Sequence, residues 1–267
     1  MNWNDKVVVI TGSSIGIGRK LAVQLLQKGA CVVINARNAD RLANTFKALQ
    51  DEGQGRLLAV AGDVAQPSDC AHLIQQTCET FGRVDALINN AGIAAEGDIG
   101  ELSPAVFRKV TEVNFLGSIY ATQQALPYLR ESQGAVLFVS SLAAIRGIPG
   151  HAVYSASKMA LTAAAEALRL EERVNGVHVA LAFVGFTEND PQKAIYDKDG
   201  RLVAQPARDF IRQEPATVVA ARLIRMIEKR QFKKVFTPIG KLNGWMSRFL
   251  PGIVERVLYR AYQKRQS

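Results

Sequence analysis

The sequence predicts a doubly wound α/β fold, a parallel sheet of about seven strands with helices on both faces. Three observations lead there. Short β-branched runs alternate along the chain with longer amphipathic segments. The strand-like runs are apolar throughout instead of alternating with polar residues, as expected of strands covered on both faces. A glycine-rich turn joins the first run to the first helical segment, where doubly wound folds bind phosphates.

In chain order, strands are predicted at 7–10, 31–35, 57–61, 86–89, 135–140, 177–183 and 235–237. Each is a short apolar run bounded by turn-forming or polar residues. The gaps carry helix-length apolar periodicity at 16–28, 39–50, 67–81, 104–131, 154–175 and 214–230, with Gly29 as a stop for the first. Two segments break the alternation. Residues 186–213 are polar, with breaks at Asp190-Pro191, Asp199-Gly200 and Gln205-Pro206, and are too long for an ordinary loop, so an active-site lid is expected. The other is the tail. The domain expectation is therefore a dinucleotide-binding catalytic unit over 1–240 and a basic amphipathic extension over 241–267.

Composition narrows the function classes. The 267 residues are 48% hydrophobic and 21% charged, enough to bury one sizeable core and inconsistent with disorder or a disulfide scaffold. Three cysteines (Cys31, Cys70, Cys78), no CxxC pair and three histidines make a metal site unexpected. Cys31, opening a strand, is read as a small buried hydrophobe. Neither a run long enough to span a bilayer nor a cleavable leader is predicted, and the free thiols suit a reducing, cytoplasmic setting. The net charge of +9 is local: ten of the 33 Lys/Arg but only one acid, Glu255, lie after residue 228, so the preceding chain is neutral.

Thr11-Gly12-Ser13-Ser14-Ile15-Gly16-Ile17-Gly18 follows the first strand. Glycines there permit a tight turn and close backbone approach to a pyrophosphate held at a helix N-terminus. A glycine-rich turn without a ligand is the alternative. Arg37 ends the second strand where NAD-binding folds place an acid on the ribose 2′-hydroxyl. Its guanidinium suits a 2′-phosphate and favours NADP(H), against a solvated surface arginine. Tyr154 and Lys158 lie four apart, one turn along a helix face, where a cation favours tyrosinate and so suits the phenol to proton transfer.

These motifs occur together with Asn89-Asn90-Ala91-Gly92 after the fourth strand and Ser140-Ser141 after the fifth. In that order they resemble the short-chain dehydrogenases/reductases over roughly residues 6–237. The resemblance implies a Rossmann-type fold, a nicotinamide dinucleotide as cofactor and a carbonyl/alcohol substrate, with the preference for NADP(H) resting on Arg37 and the missing acid. It implies Ser141 as hydrogen-bond donor to the substrate oxygen, Tyr154 as acid/base, Lys158 as partner of the tyrosine and the nicotinamide ribose, and Asn114 as holder of a relay water. For the cofactor it implies Gly12, Ser14, Ile15, Gly16, Ile17 and Gly18 around the pyrophosphate, and Asp63 and Val64 beside the adenine. Asn90, Ala91 and Gly92 would lie under the ribose, and Thr187 near the carboxamide. Where most members have Pro-Gly after the sixth strand, this chain has Val184-Gly185, and Ile15 stands where many NADP-dependent members carry a basic residue.

The family is commonly dimeric or tetrameric through the helices at 104–131 and 154–175, which makes a homo-oligomer the expectation. In the tail, Trp245, Met246, Phe249, Leu250, Ile253, Val254, Val257, Leu258 and Ala261 recur at helical spacing beside Arg248, Arg256, Arg260, Lys264 and Arg265, with Pro251 as a break. Such a helix fits an anionic membrane surface or equally docks on its own domain or a sister subunit. No nucleic-acid motif is present, and no nucleic-acid partner is expected. The function expected is NADP(H)-dependent interconversion of a carbonyl and a secondary alcohol, in the direction of reducing a lipophilic substrate. An NADP(H)-sensing binding protein and an isomerase or dehydratase on the same scaffold are the alternatives.

Overall fold

The computed structural model describes residues 1–53, 55–205 and 213–266. Seven parallel strands form one sheet in the order β3-β2-β1-β4-β5-β6-β9. They are β1 (Val7–Ile10), β2 (Cys31–Ala36), β3 (Leu57–Ala61), β4 (Ala86–Asn89), β5 (Ala135–Ser141), β6 (His178–Val184) and β9 (Lys233–Val235). The order reverses between β1 and β4, the crevice where doubly wound folds hold their ligands.

Successive residues along each strand point to opposite faces. Val8 and Ile10 of β1 and Leu137 and Val139 of β5 pack in one core layer, beneath α1 (Gly16–Gln27), α2 (Ala39–Gly53) and α7 (Ala216–Glu228). Val9, Val136 and Phe138 belong to the other, beneath α3 (Pro67–Phe81), α5 (Gly117–Ser132) and α6 (Ala152–Glu171). Two cores, one on each face, explain why the central strands are apolar at every position. Cys31 is only half-buried at the first position of β2; the buried thiol is Cys70, inside the second layer.

Three elements differ from the sequence expectation, and the tail follows it. The segment at 104–131 is not one regular helix: α4 (Pro104–Thr111) passes through a π-turn at Glu112–Leu116 before α5 begins. The last sheet strand is Lys233–Val235, two residues earlier than expected, because Thr237 is taken as the cap of the next helix and its Oγ1 accepts the Gly240 N–H at 3.1 Å. The segment after β6 contains an antiparallel hairpin, β7 (Ala194–Tyr196) and β8 (Leu202–Ala204). Ile195 and Tyr196 are buried, and Tyr196 packs in a third cluster with Leu102, Val106 and Val110. The expected lid therefore has regular structure as far as residue 205; its residues 206–212 lie outside the described ones. The tail forms two helices, α8 (Pro238–Phe249) and α9 (Pro251–Gln266), broken at Pro251.

Candidate active site

The candidate site is built at the carboxyl ends of β1, β4 and β5. Gly12 has φ +62°, and a Cβ there would lie 2.6 Å from the Ala91 Cα; a Cβ on Gly18 would lie 2.4 Å from the Gly12 carbonyl oxygen. Only glycine permits this approach of the turn to the 90–92 segment. Thr11 Oγ1 accepts the N–H groups of Asn90 and Ala91, each at 3.1 Å. Asn90 Nδ2 donates to the carbonyls of Thr11 at 3.0 Å and Gly12 at 2.8 Å. Around Gly16, by contrast, no atom lies within 4 Å of where a Cβ would be. Ile15 is the extended residue before α1, without a side-chain cap, and α1 has no acid in its first turn. Ile17 turns its side chain into the core layer and leaves its backbone on the turn. The turn thus keeps space beside the first N–H groups of α1, of which that of Gly16 is taken by Asp190 Oδ2 at 2.9 Å, and donors so placed fit a dinucleotide pyrophosphate.

Asn114, Lys158 and Gly92 meet behind that turn. A Cβ on Gly92 would lie 3.3 Å from Lys158 Nζ and 3.4 Å from Asn114 Oδ1. Asn114 sits in the π-turn and is fully buried. Its Nδ2 donates to the Ile93 carbonyl at 2.9 Å and to Ser157 Oγ at 3.0 Å, and its Oδ1 accepts the Ile93 N–H at 2.8 Å. Both amide hydrogens are committed, so a water on Asn114 would have to donate to Oδ1 or to the main-chain carbonyl. Lys158 is 4% exposed and donates to the Val139 carbonyl at 3.0 Å. Burial, reinforced by the charge of Lys193, lowers its pKa to about 8. Its Nζ lies 6.0 Å from the Tyr154 ring centre. Ser141 ends β5, where its Oγ accepts the Ala143 N–H at 3.2 Å.

The outer cofactor residues divide. Asp63 holds the Ala65 N–H at 3.0 Å, and Val64 is buried against Gly117. Arg37 turns toward Asp63, 3.7 Å away. A polar cleft of about 310 Å³ lies on the other side, lined by Ser14, Arg19, Asn38, Arg41 and Thr45. Sequence reading missed Arg19 and Arg41. Arg19 follows the last glycine of the turn directly, and Arg41 stands three after Asn38, whose Oδ1 accepts its N–H at 2.7 Å. Val184 is buried at the end of β6, and Gly185 packs closely on Thr237. Thr187 pairs with Glu214 across the base of the hairpin segment.

Comparison with known proteins agrees with this geometry. The family model described as short chain dehydrogenase matches residues 6–200. Among curated proteins, "11-beta-hydroxysteroid dehydrogenase A" of Sesamum indicum is 34% identical over 263 residues, covering 96% of this chain and 75% of that protein. "11-beta-hydroxysteroid dehydrogenase 1A" of Arabidopsis thaliana is 35% identical over 223 residues, 82% of this chain; the match spans 63% of that protein, under two thirds. Among solved structures, a short chain dehydrogenase/reductase from Burkholderia phymatum in complex with NAD superposes with TM-score 0.82 at 25% identity, covering 93% of this chain and 94% of that one. An alcohol dehydrogenase from the archaeon Thermococcus sibiricus complexed with 5-hydroxy-NADP shares the fold, with TM-score 0.76 at 24% identity over 87% of this chain and 96% of that one. With its topology, its glycine turn and its Tyr154/Lys158 helix, this chain belongs to the short-chain dehydrogenase family.

Proposed function

We propose that the protein is an NADP(H)-dependent oxidoreductase that interconverts a lipophilic carbonyl compound and its secondary alcohol. The observation that carries the reading is the convergence of Lys158, Asn114 and Gly92 beside the glycine turn, with Tyr154 one helical turn from Lys158 and Ser141 at the end of the neighbouring strand. When bound, the nicotinamide supplies or accepts the hydride. This chain's residues do the rest. In reduction the Ser141 hydroxyl donates a hydrogen bond to the substrate oxygen and so holds charge developing there. Tyr154 delivers the proton from its phenol oxygen to that same oxygen. Lys158, charged below about pH 8, is fixed by the Val139 carbonyl and keeps a cation beside the phenol and the ribose. In this reading Asn114 orders the backbone of Ile93 beneath the site.

NADP(H) is preferred over NAD(H) on charge. Arg19 and Arg41 face one cleft with the Ser14 turn, and Arg37 stands where NAD-binding folds carry an acid. Guanidinium groups suit a 2′-phosphate through charge-assisted hydrogen bonds. A lipophilic substrate accords with the steroid named for the plant relatives and with the tail. There Trp245, Phe249, Ile253 and Val257 are 47–59% exposed beside Arg248, Arg256 and Arg260. That face suits an anionic lipid surface; an isologous dimer through it would set the same basic rim against itself. A homo-oligomer through α4–α5 and α6 accords with the exposure of Met159 and Leu170 on α6.

Deuteride transfer tests the chemistry. With NADPH labelled at C4, the label is expected on the carbinol carbon of the product. A product isomerised or dehydrated without label would favour the isomerase or dehydratase reading, and tight binding without turnover would favour a sensor.

A further inference from the structure

The chain between β6 and β7 returns across the glycine turn. Asp190 Oδ2 accepts the Gly16 main-chain N–H at 2.9 Å from 174 residues away in sequence. The carboxylate is held for that contact: its Oδ1 accepts the Gln192 N–H at 3.0 Å, and the Asp190 carbonyl accepts the Lys193 N–H at 2.9 Å. Gln192 then closes one side of the Arg19/Arg41 cleft. Further along, Tyr196 is pinned by its backbone. Its N–H donates to the Ala94 carbonyl and its carbonyl accepts the Glu96 N–H, both at 2.9 Å. Its buried ring lies under Lys109, whose Nζ is 4.7 Å from the ring centre.

Asp190 therefore holds a group that the dinucleotide reading gives to the cofactor, the N-terminus of α1. Because α1 has no acid in its own first turn, Asp190 supplies the anion that uncapped N–H groups favour. A pyrophosphate needs the same donors, and a carboxylate left beside it would repel it.

We propose that the segment 190–196 is an intrasteric gate, anchored at Tyr196, in which Asp190 seals the phosphate-binding turn, so that the dinucleotide binds by displacing its carboxylate. The proposal rests on the dinucleotide reading of the glycine turn. It sets the apparent affinity: a gate closed most of the time raises the measured Kd by the inverse of the open fraction. Asp190 opposes any dinucleotide, with or without a 2′-phosphate.

The test is direct titration of the full chain with NADPH and NADH, followed by ligand fluorescence, with association rates from stopped flow. Asp190→Ala and Asp190→Asn are expected to bind both dinucleotides about three- to tenfold more tightly, mainly through faster association. A lid that merely anchors bound cofactor would give the opposite sign, so unchanged or weaker binding in the Asp190 variants overturns the gate. Thermal melting without ligand separates misfolding from gating: each variant should melt as one folded species, and its stabilisation by NADPH should exceed that of the wild type. If neither the wild type nor Asp190→Ala binds any dinucleotide, the reading of the turn fails and the gate fails with it. If the wild type binds and the Asp190 variants gain nothing, only the gate fails.

Discussion

Lys158 reaches back under Tyr154: its ammonium lies 6.0 Å from the phenol ring centre while donating to the Val139 carbonyl at 3.0 Å. The two side chains leave α6 one turn apart, and β5 fixes the end of the longer one. Among the described residues the Val139 carbonyl is the one hydrogen-bond acceptor of this buried ammonium, which leaves it donors for a ligand.

Tyr154→Phe should therefore separate chemistry from binding. The ring stays and the transferable proton goes. Turnover is expected to fall by about 10²-fold or more, with dinucleotide affinity essentially unchanged in a parallel titration. Retained turnover would remove Tyr154 from the acid/base role.

Arg41→Ala tests the cofactor preference. Hydrogen bonds to charged groups contribute about 1.5–3 kcal/mol, so NADPH binding should weaken by about tenfold or more while NADH binding stays level. Equal loss for both would place Arg41 outside the 2′-phosphate site.

His178 opens β6 in a buried position, and burial, with the charges of Arg230 and Arg169, lowers its pKa to about 4. The unfolded chain takes up a proton near pH 6.5 that the folded chain refuses until about pH 4. Stability is thus lost as pH falls through that window, by about 2–3 kcal/mol at pH 4.5 relative to pH 7.5. His178→Met should remove this part of the acid sensitivity in urea melts at the two pH values. A parallel loss in both proteins would assign it elsewhere.

The tail docks on its own domain through one side and leaves the other exposed. Val254 is buried, Tyr262 donates to Asp98, and the Pro251 carbonyl accepts from Arg146 at 3.3 Å. Trp245→Glu with Phe249→Glu should abolish co-sedimentation with phosphatidylserine-containing vesicles, and neutral phosphatidylcholine vesicles should bind the wild type weakly. Unchanged sedimentation of the double variant would return the stripe to subunit packing, which light scattering would show as a smaller assembly.

The strands, the glycine turn and the Tyr154/Lys158 spacing were legible because each rests on neighbours in sequence: apolar runs, close glycines, one helical turn. The hairpin was not. Only Ile195 and Tyr196 of it are buried, and Leu202 and Val203 lie exposed, so it has no periodicity to read. The π-turn at Glu112–Leu116 keeps a helical pattern and shows itself only in the backbone. Arg37 lies 3.7 Å from Asp63, and Arg19 and Arg41, which no motif marks in the sequence, line the cleft beside Ser14. The tail's single apolar stripe divides in space: Val254 faces inward, while Trp245, Phe249, Ile253 and Val257 face outward.

The central claim is tested most directly by following NADPH oxidation, with NADH as control, across ketones and aldehydes from small and polar to long-chain and steroid-like. The account predicts turnover of the lipophilic set with NADPH preferred. Turnover confined to small polar carbonyls, or with NADH preferred, would contradict it.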